Sequence, residues 1–124
     1  MKLLESAENY LEAILMVQKE KGLVRSIDIV NFLGFSKPSV SVAMKQLETN
    51  DYITSDGDGY IDITESGREI AEMIYERHEI LTKLFEKMGV SHETAGTDAC
   101  KVEHDISEET FQCIRRYYNN NIES

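Results

Sequence analysis

Apolar residues recur along the chain first at the spacing of a helix, then briefly at that of a strand, then at that of a helix again. Between Glu5 and Lys21, Ala7, Tyr10, Leu11, Ile14, Leu15 and Val17 fall on one side of a 3.6-residue repeat that Gly22 stops. This predicts an amphipathic helix, on whose flank Asn9 and Glu12 read first as two solvated polar side chains. A shorter repeat follows, with Ser26 able to cap it, Ile27, Val30 and Leu33 lining one side, and Gly34 closing it. A third starts at once. Ser36 suits its N-cap, Pro38 lies near the first turn where its missing N–H costs little, and Val40, Ala43, Met44 and Leu47 form the buried stripe.

The period then changes. Tyr52-Ile53-Thr54-Ser55 and Tyr60-Ile61-Asp62-Ile63-Thr64 alternate apolar with polar residues around the turn sequence Asp56-Gly57-Asp58-Gly59, which predicts a β-hairpin. Two short helices across a glycine-containing turn, followed by a hairpin, make a winged helix-turn-helix. From Thr64 to about Met88 the helical spacing returns through Ile70, Ile74, Leu81 and Phe85, and Gly89 ends it. His78 falls directly on that apolar stripe, where a lone histidine is usually a hydrogen-bonded core residue. A further helix is expected over residues 91–105. A last one starts at Ser107, runs through Phe111, Ile114, Tyr117 and Tyr118, and ends in the Asn119–Asn121 run. The predicted fold class is mainly α with a small β-hairpin wing: a winged helix-turn-helix over residues 1–64 and an all-helical domain over 65–124.

Two patterns carry chemistry. In a helix-turn-helix the start of the second helix enters the major groove. There the chain offers Ser36, Lys37, Ser39, Ser41 and Lys45, small, hydroxylated or basic side chains suited to phosphates and base edges. A polar face on an ordinary helical hairpin would read the same way. The second pattern is Cys100-Lys101-Val102-Glu103-His104. Read as helix, it puts Cys100, Glu103 and His104 at i, i+3 and i+4, a thiolate, a carboxylate and an imidazole on one face. Such mixed ligation suits a borderline ion such as Fe(II), Co(II) or Zn(II), and three ligands leave the shell for other parts of the chain to complete. Taken singly, Cys100 is a small buried hydrophobe and Glu103 and His104 are helix surface. His92 reads as a surface residue.

Charge works against the DNA reading. The chain carries a net charge of −10, divided as −4 over residues 1–64 and −6 over 65–124, so neither half is basic. DNA binding must then rest on a locally placed surface, and bound cations offset part of the negative charge. The acidic wing tip is awkward for a phosphate-contacting element. No apolar run reaches eighteen residues, so no membrane-spanning helix is expected, and no secretory signal is visible at the N-terminus. Two cysteines thirteen apart make no disulfide framework, which favours a reducing cytoplasm.

In the order and spacing of several segments the sequence resembles the metal-dependent repressors that include the diphtheria toxin repressor and the manganese transport regulator. The resemblance rests on Glu8-Asn9-Tyr10-Leu11-Glu12-Ala13-Ile14, Val24-Arg25-Ser26-Ile27-Asp28-Ile29, Ser36-Lys37-Pro38-Ser39-Val40, Ile63-Thr64-Glu65-Ser66-Gly67, Arg77-His78 and Asp98-Ala99-Cys100-Lys101-Val102-Glu103-His104. It implies a winged helix, a helical dimerisation domain, a homodimer, and divalent metal activating the binding of a palindromic double-stranded operator. It also implies the short two-domain form, without the SH3-like third domain of longer members. Cys100, Glu103 and His104 match the principal site of the iron-responsive branch, whose helix-one ligand position holds Asn9 here. His78 and Glu12 match ligands of the manganese branch's second ion, while Thr82 and Gly96 stand where the iron branch has ancillary ligands. A thiolate disfavours Mn(II), so Fe(II) is expected first and Mn(II) next, with Co(II) or Zn(II) binding in vitro. Ser36, Pro38 and Ser39 match the family's DNA contacts, and Val42 replaces a glutamine that the iron branch uses.

Three rivals remain. One is a winged-helix regulator that ignores metal, with Cys100 and His78 as core residues. A protein–protein module would fit the −10 charge. A small metalloenzyme finds no general base beside the ligands, so no enzyme is expected.

Overall fold

The computed structural model describes residues 5–123. Six α-helices and one hairpin follow in order: α1 (Glu5–Lys21), α2 (Ser26–Leu33), α3 (Lys37–Thr49), β1 (Ile53–Ser55), β2 (Ile61–Ile63), α4 (Glu65–Lys87), α5 (His92–Val102) and α6 (Glu108–Tyr118). The chain forms two compact units, Met1–Glu72 and Met73–Ser124, and the division falls inside α4. No helix among the described residues is long and apolar enough to cross a membrane.

In the first unit α1 packs on α2, α3 and β2, and α2 on α3. Gly22 ends α1 with φ 88°, its N–H returning to Gln18 O, and Gly34 ends α2 with φ 74°. Ser36 caps α3 by accepting from Ser39 N–H at 3.3 Å, and Val40, Met44 and Leu47 are buried beneath it. The hairpin pairs Ile53 with Ile63 and Ser55 with Ile61, so Ile53, Ile61 and Ile63 all face inward. A bridge from Ile61 N–H to Val24 O at 2.7 Å ties the wing to the segment before α2.

Two expectations for α2 are corrected. Its N-cap is Arg25, whose N–H donates to Asp28 Oδ2 at 2.9 Å, and Ser26 sits inside the first turn. Its fully buried residue is Ile29, while Ile27 is 43% exposed. An eight-residue helix with five large apolar side chains leaves the phase of its stripe undetermined by spacing alone, and packing on α1 and α3 decides it.

Lys21 Nζ sits 2.6 Å from Asp28 Oδ1. That ammonium, then the Arg25 N–H, holds the Asp28 carboxyl below its usual value. A depressed carboxyl stabilises the fold above its unfolded pKa, and the contribution disappears as pH falls through the folded one. Asp28→Ala is therefore expected to cost about 1 kcal/mol at pH 7, the usual worth of a cap. In urea melts the gap from wild type should close as pH falls below the ordinary aspartate value of about 3.9. A gap of constant size would show that Asp28 acts without its charge.

In the second unit Ile74, Leu81, Ala95, Ala99, Phe111 and Tyr118 are buried. Ser91 caps α5 and Ser107 caps α6, each accepting from the N–H three residues on. α5 ends at Val102, three residues short of the expected boundary, so the Cys100–His104 cluster straddles a helix end. The cause lies 26 residues away. Arg77 Nη1 donates to Glu103 O and to Ile106 O, both at 3.0 Å, and holds the carbonyls in a turn. The Asn119–Asn121 run ends α6, with Asn119 as its C-cap, and the chain goes on as a π-helical turn over Asn119–Glu123, with Asn121 Nδ2 donating to Tyr117 O at 3.0 Å.

Candidate functional site

The second unit gathers its ligand-type residues around one carboxylate. Glu103 adopts helical angles as the C-cap of α5, its N–H bonded to Ala99 O at 2.9 Å, and it is 0% exposed. His78, on α4, places Nδ1 3.1 Å from Glu103 Oε2. His104 places Nε2 3.4 Å from Oε1 of the same carboxylate, and its side chain is 2% exposed. A buried carboxylate between two imidazoles is costly to bury unless its charge is compensated. The donor set of two ring nitrogens and two carboxylate oxygens fits a divalent transition metal. His78 is thus neither a bare core residue nor a surface one: the stripe carries it inward until it meets Glu103.

Arg77 is the residue whose part spacing did not reveal. It is 6% exposed and lies 5.2 Å over the Phe111 ring. Its Nη2 reaches Glu108 Oε2 at 3.6 Å while Nη1 clamps the two turn carbonyls. One guanidinium so fixes the turn that presents Glu103 and His104. A buried arginine beside the histidine, in a stretch otherwise reading as apolar stripe, was the available signal. Cys100 lies one turn before Glu103 on α5 and is half-buried. His92 is the surface residue it was expected to be, paired with Glu86 Oε2 at 2.8 Å. In the first unit, Asn9 and Glu12 both stand on α1. Asn9 is half-buried, and Glu12 is 4% exposed, which overturns the reading of the pair as solvated.

The other candidate surface is α3. Ser36, Lys37, Pro38, Ser39, Ser41 and Lys45 are all exposed, as the helix-turn-helix pattern requires. Ser36 Oγ also donates to Ser39 Oγ at 2.9 Å, which orders the first turn of the helix. The wing tip is built locally: Asp56 Oδ1 accepts from the N–H groups of Asp58 and Tyr60, both at 2.9 Å.

Comparison with known proteins agrees with this division of labour. Residues 2–61 match the family model described as the iron-dependent repressor N-terminal DNA-binding domain, and residues 64–123 match its metal-binding and dimerisation domain. The chain is 34% identical over 113 residues to the transcriptional regulator MntR of Escherichia coli, covering 91% of itself and 73% of that protein. Among solved structures, T. acidophilum IdeR superposes with a TM-score of 0.79 at 23% identity over 96% of this chain, and a manganese-dependent transcriptional repressor in complex with manganese with 0.82 at 23% over 91%. At that identity these two show the fold alone, and this chain spans about half the length of each, 55% and 52%. Matched by family models along both halves and sharing a third of its residues with a curated regulator, the chain belongs to the iron-dependent repressor family, a family of metal-dependent, DNA-binding, dimerising transcriptional regulators and not of enzymes.

Proposed function

We propose that this protein is a divalent-metal-dependent repressor of metal-uptake genes, acting in the cytoplasm as a homodimer on a palindromic operator. The observation that carries the reading is Glu103, a fully buried carboxylate flanked by His78 and His104. Asn9 and Glu12 of α1 complete the ligand set with Cys100, Glu103, His104 and His78. Residues 1–64 serve as the DNA-binding domain and residues 65–124 as the metal-binding and dimerisation domain. Ser36, Lys37, Pro38, Ser39, Ser41 and Lys45 form the operator-facing surface of α3.

A divalent ion held by these residues would take ligands from both domains and would supply the charge that the buried Glu103 carboxylate lacks. The donors of α1 belong to the DNA-binding domain, and those of α4, α5 and the following turn to the dimer scaffold. Constraining both sets together narrows the separations that two winged helices sample, towards half-sites about 34 Å apart. The size of the switch equals the difference in ligand affinity between the two arrangements, and moving from 1:99 to 99:1 requires about 10⁴-fold. Cys100 tunes the selection: a thiolate favours Fe(II) over Mn(II), with Co(II) and Zn(II) acting in vitro. The structural neighbour solved as a manganese-dependent repressor with manganese makes Mn(II) the competing candidate.

The test is an anaerobic titration with Fe(II), Mn(II), Co(II) and Zn(II), reading binding to sites enriched from a random double-stranded DNA pool. Binding is expected only with metal, and Cys100→Ser should weaken Fe(II) activation by at least about tenfold while changing Mn(II) activation less. Equal DNA affinity in chelator and in metal would overturn metal dependence. Equal losses for Fe(II) and Mn(II) in Cys100→Ser would overturn the iron preference.

A further inference from the structure

Besides Pro38, the exposed face of α3 carries one apolar side chain among its hydroxylated and charged ones. Val42 is 58% exposed and is the sole large exposed hydrophobic on α3 among the described residues. Its neighbours one turn away on either side, Pro38, Ser39, Lys45 and Gln46, are exposed as well. The buried side of the helix, Val40, Met44 and Leu47, turns the other way. Val42 therefore stands amid the exposed residues of α3, with more than half of its surface outside the packing of the unit. In the major groove the apolar group that a base edge offers is the C5-methyl of thymine.

We infer that Val42 is a specificity-determining residue that packs on a thymine methyl in each operator half-site. The inference rests on the DNA-binding reading above and extends it to a base preference. Ser39 and Lys45, one turn to either side, supply the polar contacts to phosphates or neighbouring base edges that fix the helix's register. Val42 then separates thymine from cytosine at the position beneath it, where the methyl is absent. Burying one methyl against an aliphatic side chain corresponds to about fourfold in affinity, and two symmetric half-sites to about fifteenfold.

The experiment enriches binding sites from a random double-stranded DNA pool with the metal-loaded wild-type protein and with Val42→Ala. Affinities are then measured for the enriched site and for copies carrying deoxyuridine in place of each symmetric pair of thymines. Wild type should lose about fifteenfold at one pair. Val42→Ala should bind the thymine site more weakly, show no further loss with deoxyuridine at that pair, and enrich no thymine there. Its helical circular dichroism should match wild type, because the side chain is exposed. Wild-type affinity that ignores deoxyuridine at every pair, or a penalty of the same size in Val42→Ala, would overturn the inference. Failure of wild type to enrich any sequence under any metal would instead overturn the DNA-binding reading beneath it.

Discussion

Glu103→Gln is expected to abolish metal-dependent DNA binding while leaving the fold in place. The substitution keeps the size of the side chain and removes its charge, at a position that is 0% exposed and touched by two imidazoles. A neutral amide offers one weaker donor oxygen where the carboxylate offered two. Residues that merely orient metal ligands are worth about 10–100-fold in metal affinity, so loss of Glu103, the proposed central ligand, should cost on the order of 100-fold or more. Isothermal titration with Mn(II) or anaerobic Fe(II) measures this directly, and DNA affinity should fall to the chelator level at metal concentrations that saturate wild type. Thermal melts without metal should change little, because the helix-end hydrogen bonds around residue 103 come from the backbone carbonyl and the Arg77 guanidinium. A variant that still responds to metal like wild type would remove Glu103 from the site. It would also restore the rival regulator with His78 and Cys100 as plain core residues.

Gly67→Ala should destabilise the first unit by about 1–2 kcal/mol net, although it places the best helix former inside a helix. Gly67 lies in the first turns of α4, where Thr64 Oγ1 accepts its N–H at 3.2 Å. Thr64 in turn donates to Asp51 O at 2.6 Å, and Thr64 N–H to Tyr52 O at 3.0 Å. These bonds draw the start of α4 against the Tyr52 carbonyl so closely that a Cβ on residue 67 would overlap it, with Ile63 Cγ2 only 2.9 Å away. Backbone cannot move aside as a side-chain tip can. The steric cost, about 1–3 kcal/mol and occasionally more, therefore outweighs the ~1 kcal/mol that alanine gains over glycine in a helix. Gly96 is the matched control. It too lies within a helix, α5, but a Cβ there would meet nothing within 4 Å, so Gly96→Ala should stabilise by about 0.4–1 kcal/mol. Urea unfolding of both variants reads the contrast. Destabilisation of similar size in the two would mean that helix context, and not the Tyr52 carbonyl, governs residue 67.

Much of this protein was legible because many of its signals are local. Ser36 and Ser107 accept from the N–H three residues on, Gly22 and Gly34 take left-handed angles where the repeats stop, and the Asp-Gly-Asp-Gly turn sets the hairpin. Each depends on residues within one turn of one another, so spacing alone predicts it. The same holds for the exposed face of α3 and for the presence of Cys100, Glu103 and His104 within five residues. What spacing did not decide are the features set by partners far along the chain. The end of α5 depends on Arg77, 26 residues before Glu103, and the burial phase of α2 depends on its packing against α1 and α3. Whether Glu103 was a solvated helix residue or the buried centre of a pair of histidines turned on His78, 25 residues away. The sequence by itself thus determined the elements, their caps and the kinds of ligand available. Only the tertiary structure decided which carboxylate loses its water and which guanidinium holds the backbone turn that carries it, because desolvation and long-range hydrogen bonds are properties of the packed chain and leave no mark in local periodicity.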